Sequence, residues 1–444
     1  MTRVAEDLSD TLIDRVAVWL KHSALRGDDL ETLISGVCER LTAAGMPLLR
    51  VNLGFSMLHP LYRAIGFTWL RGHGLSMQGI RITEHGDPRE TFLKSPHFHL
   101  LSHDLDHLRR RLNPNDPPEF PIFSELYALG ATDYLAFVQS FNQTAEQGMM
   151  GSWATDTRDG FTDNMIKVLL RLQESLAVAA KMAVLAKLAD NMMTTYLGPS
   201  SGKRVLSGQV QRGDVETIRA VLVMGDMRDS TALAESVGRQ DYVDTLNQFF
   251  DAIAAPFNVN GGEILSFIGD GFLAAYPCDR HREPSQVAAR AALSAVAEAQ
   301  GRMAALNAAR RAAGDSELRF GLGMHVGNVM LGNVGLKHRL TFSAFGAAVN
   351  EVQRLESLTK KYGVPVIASE DFIGYCDGAW ELKGHETLQG IRDRVGVYLP
   401  TPGLLDANRT AVLAAETDEQ ISDAEQMMKL FRDMKDKAHP RLGL

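Results

Sequence analysis

Apolar residues change their spacing along the first part of the chain from helical to alternating and back. Leu12, Ile13, Val16 and Leu20, then Leu30, Leu33, Ile34, Val37 and Leu41, fall at helical intervals and predict two helices over 8–46. From 49 to 82 the pattern is strand-like, best in Val51-Asn52-Leu53-Gly54-Phe55 and in Ala64-Ile65-Gly66-Phe67-Thr68-Trp69-Leu70. Residues 83–118 are polar and rich in His and Arg, with a firm break at Asn113-Pro114-Asn115-Asp116-Pro117-Pro118. A short helix over 121–129 and strands over 134–141 and 148–154 complete this region.

Phe161-Thr162-Asp163 opens a helix predicted to run to about 197. Met165, Leu169, Leu172 and Leu176 lie at alternating steps of four and three, and Val178, Met182, Leu185 and Met192 carry a similar stripe onward. Two readings stand side by side: a dimer seam joining two domains, or a closing helix packed on its own sheet. Gly198-Pro199-Ser200-Ser201-Gly202 ends the helix, and 203–217 reads as a polar linker.

The second half predicts strand 218–225, helix 230–255, hairpin 262–276, helix 284–312, strand 318–326 and a further hairpin over 328–343. Helix 347–361, strand 364–368 and closing strands 379–388 and 394–399 follow. The core order βαββαβ is the ferredoxin-like plan, a sheet with helices on one face, so the fold class is α/β (α+β). After Pro402 one amphipathic segment, 417–436, reads as a surface-packing helix. The expected domains are 1–160, a connecting helix and linker over 161–217, 218–400, and a tail over 401–444.

A length of 444 residues already asks for more than one domain, and 45% hydrophobic with 23% charged residues supplies ordinary cores. The net charge of -8 gives no electrostatic footprint for nucleic acid or an anionic membrane. Cys38, Cys278 and Cys376 are far apart and lack metal spacing, which fits a reducing compartment. No apolar run is long enough for a membrane span, and the polar start shows no secretory signal. The expectation is a soluble, cytoplasmic protein.

The chemistry centres on the strand pair around Gly269-Asp270-Gly271, a tight turn that holds a carboxylate at a hairpin tip. The strand over 218–224 ends in Gly225-Asp226. If it lies beside the hairpin, Asp226 and Asp270 face one another, and a divalent metal is the economical way to hold two carboxylates together. Between Asp226 and Thr231 the chain reads Asp-Met-Arg-Asp-Ser-Thr, a helix start whose amides, with Met227 alongside and Ser230 or Thr231 as cap, suit phosphate oxygens. Farther on, Asn350 and Arg354 stand four apart on one helix face, an amide and a guanidinium able to grip a ribose oxygen and a phosphate. Taken alone, each is commonplace: a turn, a capped helix, a solvated helix face.

Taken together, their order and flanks resemble the class III nucleotidyl cyclases, the adenylyl and guanylyl cyclase catalytic domain. The resemblance covers roughly 215–400 and includes Phe320-Gly321-Leu322-Gly323-Met324-His325-Val326-Gly327, Gly332-Asn333-Val334-Gly335 and the helix of Asn350 and Arg354. The Gly-Gly-Asp/Glu-Glu-Phe turn of diguanylate cyclases is absent, since Gly261-Gly262-Glu263 is followed by Ile264. The resemblance implies that Asp226 and Asp270 hold two Mg²⁺ or Mn²⁺ ions, one lowering the pKa of the ribose 3′-hydroxyl and the other binding the triphosphate. It implies in-line attack on the α-phosphate with loss of pyrophosphate, Asn350 orienting the ribose and Arg354 stabilising charge on the α-phosphate. It assigns the terminal phosphates to a late basic residue, Arg392 or failing that Arg394. It also implies a head-to-tail homodimer, because in this family the carboxylates and the Asn/Arg pair come from opposite protomers.

The base contacts depart from the family. Adenylyl cyclases carry Lys, and guanylyl cyclases Glu, at the place of Ser266; Ser343 stands where Asp or Thr, or Cys, is usual. A hydroxyl both donates and accepts, so it reads neither base decisively. ATP is the first expectation, on family frequency; the alternatives are a guanylyl or relaxed-specificity cyclase, or a nucleotide-binding regulator without turnover. The order of elements over 1–160 resembles a small GAF or PAS sensor module with an unknown small-molecule or protein input. Within it, His97, His99, His103 and His107 crowd a polar segment, read as solvated surface sooner than as a zinc or haem site. Met149, Met150 and Trp153 suit a ligand pocket or a core equally well.

Overall fold

The structure is a computed structural model that describes residues 10–56, 62–81, 92–141, 148–278, 281–387 and 394–405. The predicted amphipathic segment over 417–436 lies outside the described residues. The chain divides into two compact units, Met1–Met192 and Met193–Leu444.

The first unit begins with helices α1 (Asp10–Arg26) and α2 (Leu30–Ala43), the second opened by Asp29, whose carboxylate accepts from the Thr32 amide. Strands β1 (Arg50–Ser56), β2 (Tyr62–Leu70) and β3 (Gly74–Arg81) follow, then α3 (Pro96–Ser102), β4 (His107–Arg111), α4 (Pro121–Ala128), β5 (Asp133–Ser140), β6 (Gly148–Thr155) and α5 (Asp163–Leu197). The strands form one antiparallel sheet in the order β3-β2-β1-β6-β5-β4. One apolar cluster joins α1, α2 and α5 to Val51, Leu53, Phe137 and Trp153; a second joins α3 and α4 to Tyr134, Ala136 and Ala154. Alternation along β5 and β6 therefore feeds two cores.

The polar stretch over 83–118, for which no element was predicted, holds both α3 and β4. Its signal was Ser95-Pro96, where the Ser95 hydroxyl caps the Phe98 amide and proline takes the first helical position. On α5 the two stripes fall on different faces: Met165, Leu169, Leu172 and Leu176, continued by Ala180 and Val184, are buried in the unit's own core, whereas Val178, Met182 and Leu185 are exposed.

In the second unit α6 (Pro199–Leu206) occupies the start of the expected linker, entered through Gly198 at φ 86°. Next come β7 (Val215–Met227), α7 (Ser230–Ser236), α8 (Arg239–Ile253), α9 (Ala255–Val259), β8 (Glu263–Ile268), β9 (Gly271–Cys278), α10 (Arg282–Ala313), β10 (Phe320–Leu336) and β11 (Arg339–Phe345). The unit ends with α11 (Ala347–Tyr362), β12 (Val366–Ser369), α12 (Glu370–Ile373), β13 (Trp380–Thr387) and β14 (Arg394–Pro400). The sheet runs β13-β14-β12-β10-β7-β9-β8, with β11 paired to β10. Its centre, β10-β7-β9-β8 with the intervening helices, is the ferredoxin-like plan.

Two expectations need correction. The single helix over 230–255 is broken, at Val237-Gly238 and again before Pro256, which cannot donate to a preceding turn. Helices also cover both faces of the sheet. Val221, Val223, Phe272 and Ala274 pack with α8 and α10, while Ala220, Leu222, Met224 and Leu273 pack with Ala348 and Val352 of α11. A central strand buried on both faces reads as a continuous apolar run, as 220–224 does.

Candidate active site

Strand β7 delivers Asp226 to the edge of the ferredoxin-like core. In register, Asp226 stands opposite Gly271 of β9 on one side and Gly321 of β10 on the other. The Met227 amide donates to the Asp270 carbonyl at 3.3 Å, which ties the hairpin turn to the strand end. Gly269 supplies the turn with φ 64°, a conformation that favours glycine. Asp226 Oδ1 sits where a Cβ on Gly271 would come within 2.9 Å. Burial holds the Asp226 carboxyl above its usual range, and the charge of Asp270 pushes the same way, with Arg228 and Lys360 opposing. The two carboxylates thus lie near enough for the charge of one to act on the other, and their hard oxygens are the donor type a divalent cation takes.

Residues 215–398 match the family model for the adenylate and guanylate cyclase catalytic domain. That stretch is a class III cyclase catalytic domain. It is 35% identical over 184 residues to adenylate cyclase 1 of Rhizobium meliloti (strain 1021), covering 39% of this chain and 27% of that protein. It is 27% identical over 168 residues to an adenylate cyclase of Anabaena cylindrica, covering 37% of this chain and 32% of the relative. The chain thus spans about a third or less of these curated relatives. Among solved structures, the adenylyl cyclase CyaB from P. aeruginosa is similar at 23% identity and a TM-score of 0.38, covering 41% of this chain and 94% of that one. The guanylyl cyclase Cya2 is similar at 24% identity and a TM-score of 0.36, covering 42% and 93%.

Beside the carboxylates the cyclase domain buries a group that sequence reasoning missed. Glu356 of α11 is 7% exposed, and burial with the nearby charge of Asp226 pushes its carboxyl up to about 7. Arg228 opposes that shift with Nη2 4.0 Å from Glu356 Oε1, and it also donates to the Thr359 hydroxyl. Gly321 leaves the room: a Cβ there would collide with Thr359, Glu356 and Arg228. The signal was available, since Ala348, Val352, Glu356 and Thr359 follow the buried helical period.

Asn350 and Arg354 do not join this group within one chain. Glu356 faces Asp226, and Arg354, two residues earlier, lies about 200° round the helix. Asn350 is exposed, and Arg354 acts on Glu351, whose carboxyl is raised chiefly by burial and by Asp371, with Arg354 lowering it. Glu351 Oε2 is 3.3 Å from Nε2 of buried His325, and His325 Nδ1 is 3.0 Å from the Ser369 hydroxyl, which accepts from the Phe372 amide at 3.2 Å. That chain assigns Nε2 as the protonated nitrogen. Burial holds the imidazole down to about 4, with Asp371 opposing and Arg219 reinforcing.

Ser266 on β8 is half-buried opposite Leu273, just past an irregularity in the pairing, and Ser343 on β11 is half-buried opposite Gly332. Leu265 and Phe342, their chain neighbours, pack against one apolar cluster. Met227 is corrected: its side chain is 2% exposed within the core and its amide is committed to Asp270, so it supports the turn. The cap is corrected too. Position N-cap of α7 is Asp229 at φ 59°, without a side-chain cap bond; Ser230 is half-buried and Thr231 exposed in the first turn. The Asp229 carboxylate pairs instead with Arg319. Arg392 lies outside the described residues, and Arg394 is exposed with Nη2 2.9 Å from the His385 carbonyl.

In the first unit His97 is half-buried with Nε2 3.0 Å from the Gly151 carbonyl, and burial lowers its pKa. His99 and His103 stack with ring centroids 4.2 Å apart. Among the described residues no three His, Cys, Asp or Glu side chains are grouped to hold a metal. Trp153 stacks on Phe137 at 6.1 Å inside the core, Met149 is buried, and Met150 borders a cavity.

Proposed function

We propose that the chain is an adenylate cyclase, converting ATP to 3′,5′-cyclic AMP and pyrophosphate in active sites shared between two copies, under control of the first unit. The observation that carries this reading is the meeting of Asp226 and Asp270 at one sheet end, with Arg354 turned away from them. Mg²⁺ or Mn²⁺ held by these two carboxylates would supply charge that acidifies the ribose hydroxyl and neutralises the triphosphate. The bond formed joins the 3′-oxygen to the α-phosphorus, and the bond broken releases pyrophosphate.

The side chains divide the remaining work. Ser230 and Thr231 border the phosphates on the protomer that supplies the carboxylates. Asn350 of the other copy orients the ribose, and Arg354 meets the charge that gathers on the α-phosphate. Ser266 and Ser343 face the base, and Arg392 or Arg394 grips the terminal phosphates. Adenine is favoured by the adenylate cyclases of R. meliloti and Anabaena cylindrica named above. The serine pair supports a second reading, relaxed specificity, because a hydroxyl offers both a donor and an acceptor.

The first unit, with its six-stranded antiparallel sheet and helices on both faces, suits a GAF or PAS type of input domain. Among the described residues no helix is long and apolar enough to cross a membrane. The deciding experiment gives purified protein ATP or GTP with Mn²⁺ and separates the products. Cyclic AMP formed by the parent and lost in Asp270→Ala supports the proposal; triphosphate binding without any cyclic product identifies a regulator.

A further inference from the structure

Between Gly321 and Gly327, strand β10 turns Leu322, Met324 and Val326 into the core shared with α8 and α10, and the alternate positions toward α11. Three of those alternate positions are glycine. A Cβ on Gly323 would stand 2.5 Å from the Glu356 amide nitrogen, and one on Gly327 would stand 2.5 Å from Ala348 Cβ. Helix α11 therefore lies directly on the backbone of the strand. His325 is the fourth position and the only side chain in this lane. It is 4% exposed, and its Nε2 meets Glu351 Oε2 of α11 at 3.3 Å. Its Nδ1 is 3.0 Å from the hydroxyl of Ser369, which the Phe372 amide fixes in turn.

Interlocking side chains are what stop a packed element from turning or sliding, and a lane of glycines supplies none. The imidazole is the one peg there, and it meets the helix one residue from Asn350 and three from Arg354. On a helix those two project about 100° and about 60° from Glu351, both on the same side. A turn of about 10° round the axis carries a group ~6 Å out through about 1 Å. An error of about 1 Å in a reacting geometry can cost about a hundredfold in rate. Resting on the shared active site proposed above, we infer that His325 is a positioning residue for the cyclase reaction. Through Glu351 it fixes the rotation of α11, and so where Asn350 and Arg354 meet a nucleotide held on the carboxylates of the other copy. It touches no substrate itself.

The test uses the full chain, with Mn²⁺ and the triphosphate the parent turns over. His325→Leu keeps bulk and drops the polar contact, and Glu351→Ala, at a partly exposed position, removes it from the other side. Each is expected to lose about ten- to a hundredfold in kcat, with KM and the Mn²⁺ dependence within about twofold of the parent. The double variant should fall no further than either single one. Glu351→Gln, which keeps an acceptor oxygen, should recover most of the loss. Subunit mixing then separates positioning from loss of fold. His325→Leu should regain turnover when mixed with Asp226→Ala and not with Arg354→Ala, whose defect lies on the same half of the site. Glu351→Ala repeats each arm should His325→Leu not fold. Additive losses in the double variant, a raised KM with kcat unchanged, or recovery with Arg354→Ala overturns the inference. So does failure to recover with Asp226→Ala when Asp226→Ala and Arg354→Ala rescue each other. If those two do not rescue each other, the shared site fails instead, and the kcat and double-variant results still decide the role of His325.

Discussion

The Asp226 carboxylate rests against Gly271, so close that a Cβ on that glycine would stand 2.9 Å from Oδ1 and 2.8 Å from the Gly225 carbonyl. The hairpin that carries Asp270 can therefore lie beside β7 only because its first strand residue has no side chain. Gly271→Ala must move either the carboxylate or the strand. It is expected to cost about 1–3 kcal/mol of stability and to reduce turnover more than that loss explains, measured by urea unfolding beside cyclic nucleotide production.

Asp226→Asn and Asp270→Asn keep the shape of each side chain and remove the charge that the proposed divalent ion would need. Each is expected to lower turnover about a thousandfold with an unchanged circular dichroism spectrum. Asp226→Asn relieves repulsion in a half-buried pair, so its thermal midpoint should stay level or rise.

The opposed directions of Glu356 and Arg354 on α11 predict complementation between two inactive variants. Asp226→Ala and Arg354→Ala are each expected to be inactive alone. Mixed and allowed to exchange subunits, they should recover about a quarter of parental turnover, since half the dimers are mixed and each has one intact site. No recovery would place both groups in one chain.

Ser266 and Ser343 are neutral, half-buried and able to serve either base. Replacing them together, Ser266→Lys with Ser343→Asp, supplies directed charged contacts to adenine. The ratio of ATP to GTP turnover should rise roughly ten- to a hundredfold, read from kcat/KM for each nucleotide.

His325 gives the second unit an acid limit. Its folded pKa, about 4, lies below the usual 6.5, so the unfolded chain binds the proton more readily. Stability from this group is therefore full above pH 6.5 and is lost as pH falls toward 4, by about 3 kcal/mol. Glu351, Asp371, Arg219 and Ser369 surround the ring, and Glu356, raised to about 7, contributes in the opposite direction, losing stability as pH rises. The difference between parent and His325→Gln isolates the imidazole: its unfolding free energy should flatten over pH 4–6.5.

Asp133 anchors the start of α5. Its carboxylate accepts from Arg109 Nη2 at 2.8 Å and from the Phe161 amide at 3.0 Å, and its side chain is fully buried. Asp133→Ala removes the buried acceptor shared by Arg109, Arg111 and the Phe161 and Tyr134 amides, while Arg109 keeps the Phe161 carbonyl and Asp163, and should cost about 2–4 kcal/mol. Trp19, Trp69 and Trp153 lie in the first unit, so a lower urea midpoint should appear in tryptophan fluorescence.

Periodicity and turn chemistry determined most of the elements by themselves. The helical steps from Leu12 to Leu41, the alternation around Phe55 and Phe67, and Gly269-Asp270-Gly271 each encode local geometry, which neighbouring residues decide without help from distant ones. Asp226 and Asp270 meet because the strand that ends at Asp226-Met227 pairs antiparallel with the strand that begins just after Asp270, which sets Asp226 opposite Gly271. Tertiary structure decided what depends on which surfaces meet. Glu356 and Arg228 became neighbours of the carboxylates only because Gly321, far from both in sequence, leaves space between β10 and α11. On α5 the core face runs on through Ala180 and Val184 while Val178, Met182 and Leu185 turn outward, and which of these faces meets the core is settled only by packing. Short-range preferences are written in adjacent side chains, whereas burial and shared charge belong to pairs that only the folded chain brings into contact.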